Sequence, residues 1–343
     1  MIERPAPRRI LSEAEHRLLA HHPGTPQDHH HHLDAPLDRE ANELLGRGAL
    51  DEVVSLAEIA PTRVAEAMGR HRLVLRRNAH RVSHEKLLLL TWDSLDAETR
   101  RQHLEGMIRL VLRMARCGAP RVERRDGAPA PAPYRFQSDE IDIEATVEKR
   151  LGSAPGSPWS AIADYADLIV AERLPRRRAY VVMIDRSRSM RGSKAVSAAL
   201  ASATLLLDLP AEDEWGVIAF AEEAQVMRGI GRRALRDDIL RELLEMRSQG
   251  CTDIAAGLEA GFAALARARG QDRIGILVSD GWLNTGPPPF SLVRQFRRLH
   301  VIELPGGDPA LCARMAAAGS GTVSRVRSLA EIPRAVRRCL SAP

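Results

Sequence analysis

The stretch "VVMIDRSRSM", Val181 to Met190, decides how the chain is read. Its first half, extended back to Ala179, is a short apolar run rich in β-branched residues. Such a run, cut off by a polar residue, predicts a strand buried on both faces, as in parallel sheets. The run stops at Asp185, and two hydroxyls follow at spacings of two, Ser187 and Ser189. Three hard oxygens at one strand end suggest a cation site, because hard divalent ions take oxygen ligands.

Reading outward from this strand, residues 159–343 alternate between apolar strand runs and helical periodicity. "GSKAVSAALASATLLLDL" predicts a helix and "EWGVIAFAEEAQVMRGI" a hairpin turning at Glu222 and Glu223. "LRDDILRELLEMRS" and "TDIAAGLEAGFAALARAR" are helical, "DRIGILVSDG" and "LHVIELPG" are strands, and "DPALCARMAAAG" and "AEIPRAVRRCL" are helices. Strands separated by helices imply an α/β fold with a doubly wound, mostly parallel sheet.

In such sheets functional groups collect outside the carboxyl ends of the strands. After "GILVS" stands Asp280, followed by Gly281; between the two strand ends "GCTDIAAGL" places Thr252 and Asp253 just before a helix. Each piece alone is ordinary, since a Thr-Asp pair before a helix often only caps it. Together they offer two carboxylates and three hydroxyls at one sheet edge. That donor set suits Mg2+ or Mn2+, which takes six oxygens and retains replaceable waters. An Asp or Glu from another protein could complete the shell.

Asp-x-Ser-x-Ser, a threonine in Gly-x-Thr-Asp and a strand-end Asp-Gly are together similar to the metal-ion-dependent adhesion site of von Willebrand factor type A domains. The resemblance covers roughly residues 176–340, including "AAAGSGTVSRVRSLAEIPRAV", similar to that family's last strand and helix. It implies a metal set of Asp185, Ser187, Ser189, Thr252 and Asp280, with Arg188, Asp253 and Gly281 facing a partner. The family usually has glycine between the serines, where this chain has Arg188. The stretch from Asp139 to Asp185, behind a helical region, resembles cytoplasmic bacterial members that partner MoxR-type AAA+ ATPases. That resemblance implies an adaptor between an ATPase and a client in complex assembly or maturation. A metal-chelatase-type or nitric-oxide-reductase-activation-type subunit is the neighbouring alternative.

The enzymatic alternative is a phosphatase-like hydrolase using Asp185 as nucleophile. Haloacid-dehalogenase-like phosphatases have Asp-x-Asp here, and Ser187 leaves the general acid missing. Neither serine lies in G-x-S-x-G, and no G-x-x-x-x-G-K-[ST] phosphate loop occurs, so any ATP hydrolysis must come from a partner. The reading is therefore not an enzyme.

The remaining chain carries less chemistry. Residues 37–117 predict a small all-α domain: Gly46, Gly48 and Pro61 break it into short helices, and Leu104, Ile108, Leu112 and Ala115 share one face of a longer one ending near Gly118. His71, His80 and His84 read there as surface or cap residues. Residues 1–36 read as a disordered segment; its His29–His32 tract could hold a transition metal or simply be solvated. Residues 118–158 read as a Pro- and Ala-rich linker with an acidic segment (Asp139, Glu140, Asp142, Glu144), a metal or arginine ligand or a solvated face. The net charge of +5 is carried almost wholly by arginine interleaved with acids, without aromatics beside it, which argues against nucleic acid. The four cysteines form no CxxC pair, and their separation argues against a small disulfide scaffold and a zinc knuckle. No apolar signal segment or membrane span is visible, so a cytoplasmic location is expected.

Overall fold

The computed structural model describes residues 29–117, 127–136, 140–151, 165–173, 176–191, 193–210, 212–231, 236–270 and 272–342. The expectations for residues 1–28, for Gly118 and for Asp139 lie outside them. The chain divides into two compact units, Met1–Met107 and Ile108–Pro343.

The first unit is helical: α1 (His29–Arg47), α2 (Leu50–Ile59), α3 (Pro61–Arg70), α4 (Arg72–Arg77), α5 (Val82–Thr91) and most of α6 (Ala97–Arg116). Gly48 and Pro61 break the helices as the sequence suggests, whereas Gly46 lies inside α1. Gly48 takes a φ of +72° after α1, and Pro61, whose missing N–H costs nothing at a helix start, opens α3. Asp96 caps α6 by accepting from the Thr99 amide at 2.9 Å. Helix α1 begins at His29, within the segment read as disordered. His84 corrects the reading of that residue as surface or cap. It is buried, its ring 5.1 Å from that of His103, and burial lowers its pKa to about 4.

The second unit opens with a two-stranded antiparallel sheet of β1 (Pro129–Pro133) and β2 (Ile169–Arg173). The sequence reading assigned 129–133 to linker. Proline at every second position leaves few ladder donors, which fits an edge strand in a minimal sheet. Asp142 caps α7 (Ile143–Leu151), accepting from the Ala145 amide at 2.9 Å, so this member of the acidic segment serves the helix start.

The main sheet has six strands in the order β5-β4-β3-β6-β7-β8. They are β3 (Arg178–Asp185), β4 (Glu214–Phe220), β5 (Ala224–Arg228), β6 (Asp272–Ser279), β7 (Arg298–Glu303) and β8 (Val323–Arg325). All neighbours run parallel except the β4–β5 hairpin. Every residue of β3 is buried, as its unbroken apolar run demands. Helices α8 (Ser193–Asp208), α9 (Arg236–Glu245), α10 (Ile254–Ala266), α11 (Pro309–Ala318) and α12 (Ile332–Ser341) flank the sheet, with a further single turn at Phe290–Val293. Ala179, Val181 and Met183 face a core shared with α10 and α11, and α8 packs against β3 and α12.

Two glycines set how closely α10 approaches. A Cβ on Gly257 would lie 2.5 Å from the Phe220 ring, and one on Gly261 2.3 Å from Met183 Sδ. Helix α10 is thus pressed onto β3 and β4, which fixes where its N-terminus, Thr252–Asp253, sits. The chain goes from β3 to β4 on one side and returns to β6 on the other, making the β3–β6 boundary a topological switch point. Ile184 pairs with Val278, so Asp185 and Ser279–Asp280 emerge side by side.

Candidate metal centre

Strand β3 delivers Asp185 to the switch point with its side chain buried. Each carboxylate oxygen is engaged: Oδ1 accepts the Ser187 amide at 2.9 Å, and Oδ2 the Ser279 hydroxyl at 2.7 Å. Burial raises this carboxyl above the usual carboxylate range; bonds from Ser187 and Ser279 oppose the shift, and the charge of Asp280 adds to it. After Asp185 the chain enters a single tight helical turn, Arg188–Met190. The turn brings Ser187 Oγ, which is buried, within 3.1 Å of Ser189 Oγ, which is exposed.

The loop before α10 is tied to this turn. The Arg188 amide donates to the Gly250 carbonyl at 3.1 Å, and the Asp253 amide to the Ala221 carbonyl at 2.8 Å. Thr252 is buried between them. Asp253 caps α10, accepting from the Ala256 amide at 3.1 Å, so part of its hydrogen-bonding capacity goes to the helix. The third piece closes over the second: the amides of Asn284 and Thr285 donate to the Thr252 carbonyl at 3.3 and 3.2 Å.

Asp280 is fully buried, and Lys194 Nζ donates to its Oδ2 at 2.9 Å while the Trp282 amide donates to Oδ1 at 3.1 Å. Gly281 has a φ of +76°, and a Cβ there would lie 2.6 Å from Cys312 Sγ, so the turn after β6 requires glycine. Its amide donates to Ser279 Oγ at 2.9 Å, which orients that hydroxyl toward Asp185.

The structure therefore places Asp185, Ser187, Ser189 and Asp280 together at the carboxyl ends of β3 and β6, with Thr252 buried in the loop tied to the same turn. Gly281 serves the backbone, Asp253 the helix cap, and Arg188 stands exposed on the rim. Arg186, Arg188 and Arg247 line a neighbouring cavity of about 530 Å3, between the β4–β5 turn and residues 246–250.

The donor chemistry fits a small divalent ion. Cis oxygens of an octahedral shell with bonds near 2.1 Å lie about 3.0 Å apart, close to the 3.1 Å serine pair, which is also a good hydrogen bond. A buried carboxylate with a second buried carboxylate beside it is what a cation relieves. Among the described residues no cluster of three His, Cys, Asp or Glu occurs.

Three participants are absent from the sequence reading. Ser279 orients Asp185, Lys194 holds Asp280, and Trp282 stands half-exposed on the rim beside Asp280. Lys194 carried one signal: it is one of three lysines in a chain whose cations are otherwise arginine. Ser279 shows none beyond its place at a strand end.

Residues 180–282 match the family described as von Willebrand factor type A domain. The solved structures to which the chain is similar include an aerotolerance-related membrane protein from Bacteroides fragilis, 18% identical over 48% of this chain and 98% of that one, TM-score 0.40. A von Willebrand factor type A protein from Catenulispora acidiphila is 19% identical over 50% and 43% of the two chains, TM-score 0.42. Proximal thread matrix protein 1 from the mussel byssus, with a zinc-occupied adhesion-site motif, is 18% identical over 48% and 47%, TM-score 0.41. No match was found among curated proteins. The family match and the six-stranded sheet with its helical flanks identify a von Willebrand factor type A fold, preceded by a helical region. No helix among the described residues is long and apolar enough to cross a membrane.

Proposed function

We propose that the chain is a divalent-metal-dependent protein-binding adaptor. It works with a MoxR-type AAA+ ATPase, in the cytoplasm, in the assembly or maturation of a client complex. The observation that carries the binding reading is the pair of serine hydroxyls 3.1 Å apart just after the buried Asp185, beside the buried Asp280 at the switch point. Asp185, Ser187 and Ser189 would hold Mg2+ or Mn2+, with Thr252 and Asp280 behind them. The bound ion supplies a Lewis-acidic position for an aspartate or glutamate of the client.

The protein's own residues do the rest. Ser279 and the Ser187 amide keep the Asp185 carboxylate oriented. Ser189 and Arg188 are exposed where a partner would arrive, and the nearby arginines favour an acidic one. The ATPase partnership rests on the resemblance of Asp139–Asp185 and on the lack of a phosphate-binding loop in this chain. A nucleophilic role for Asp185 is disfavoured: its side chain is buried, both oxygens are engaged, and position 187 offers serine rather than a general acid.

The test is affinity capture from lysate of the source cells, using wild type and Asp185→Ala, with Mg2+ or with EDTA. An AAA+ ATPase retained by wild type in Mg2+, and lost with EDTA or in the variant, supports the proposal. An ATPase retained equally in all lanes, or none in any, contradicts it.

A further inference from the structure

We propose that Lys194 is a built-in counter-cation that opposes the divalent ion and so makes its loading depend on an outside carboxylate. The inference rests on the metal-binding reading above. Its starting point is a lysine in an electrostatically poor place. Lys194 stands in the first turn of α8, where the helix dipole disfavours a positive charge. What it gains there is Asp280: Nζ lies 2.9 Å from Oδ2, with the lysine side chain only 21% exposed and the aspartate fully buried. The slot beside it is shaped by the turn before α11. Gly306 has a φ of +90°, and a Cβ there would lie 3.5 Å from Nζ.

Charge balance gives the consequence. Asp185 and Asp280 leave adjacent parallel strands at the same level, with Ser279, the residue before Asp280, bonded to Asp185 Oδ2. Without Lys194, two carboxylates and a divalent ion would be neutral together and would need nothing further. With its ammonium on Asp280, the same set carries one positive charge, and a carboxylate from outside restores neutrality. The ammonium and the ion also repel each other across a partly buried site, where such interactions are screened less than in water. Lys194 therefore weakens the bare ion and strengthens the demand for an acidic partner.

The experiment is Mn2+ titration by calorimetry on the full chain, comparing wild type, Lys194→Met, Lys194→Arg and Asp185→Ala. Lys194→Met is expected to bind Mn2+ about tenfold or more tightly than wild type, with Lys194→Arg close to wild type. Unchanged or weaker binding by Lys194→Met overturns the inference. A loss of Mn2+ binding in every protein, with no dependence on Asp185, overturns the metal reading instead. Thermal unfolding guards against a merely damaged variant. In EDTA, Lys194→Met should melt below wild type, since Asp280 has lost its ammonium, and Mn2+ should raise its midpoint by more than it raises that of wild type. An equal rise in both proteins refutes the proposal.

Discussion

Replacing Gly257 with alanine tests how the fold positions the site. The added methyl would sit 2.5 Å from Phe220 Cδ1 and 2.6 Å from Cγ, where carbon atoms normally rest about 3.5–4.0 Å apart. The ring is buried, so either it or α10 must move by roughly 1 Å. Overpacking of this kind costs about 1–3 kcal/mol. Alanine returns about 1 kcal/mol through its better helix propensity. The net loss is up to about 2 kcal/mol, worth up to roughly 8 °C in a domain of this size. Gly106, inside α6, is the control. No atom lies within 4 Å of its Cβ position, so Gly106→Ala should stabilise by about 0.5–1 kcal/mol. Both variants are compared with wild type by urea and thermal unfolding followed by circular dichroism. Because α10 carries Thr252–Asp253 at its start, Gly257→Ala should also weaken Mn2+ binding. A Gly257→Ala protein stabilised as much as Gly106→Ala would refute close approach as what places this helix.

Two further perturbations follow from the same contacts. Burial holds the imidazoles of His84 and His300 at a pKa of about 4, below the value near 6.5 of an unfolded chain. Between pH 6.5 and 4 the unfolded chain takes up protons that the fold refuses. Stability should therefore be level above about pH 6.5 and fall as the pH drops, by up to about 3 kcal/mol per imidazole near pH 4. Urea midpoints at pH 7.5 and 5.0 measure this, and equal midpoints would refute it. Ser279→Ala removes the 2.7 Å bond to Asp185 Oδ2 and should lower Mn2+ affinity about tenfold with the fold retained; calorimetry showing wild-type affinity would mean that Asp185 needs no such support.

The parts of the protein legible in sequence are those fixed by local pattern. The unbroken apolar runs of β3 and β6 specified strands buried on both faces. The strand-end rule for doubly wound sheets then located Asp185 and Asp280, which the registered pair Ile184–Val278 sets side by side. Gly48 and Pro61 marked helix boundaries because each has a backbone geometry that other residues avoid or lack. What stayed hidden depends on long-range contact. Lys194 lies 86 residues from Asp280, and nothing local reveals that its ammonium ends on that carboxylate. The Ser279–Asp185 bond spans 94 residues. His84 shows no sequence mark of burial, because the ring that covers it, His103, belongs to another helix. The proline-alternating strand Pro129–Pro133 was hidden because its composition equally suits an extended linker.

The central claim is that one small divalent ion is held at the end of β3. Crystals grown with Mn2+ and measured at the manganese absorption edge test it most directly. The account predicts a single anomalous peak about 2.2 Å from an Asp185 carboxylate oxygen and from the hydroxyls of Ser187 and Ser189, absent from crystals of Asp185→Ala. A map with no peak there, or with manganese bound only elsewhere, would contradict it.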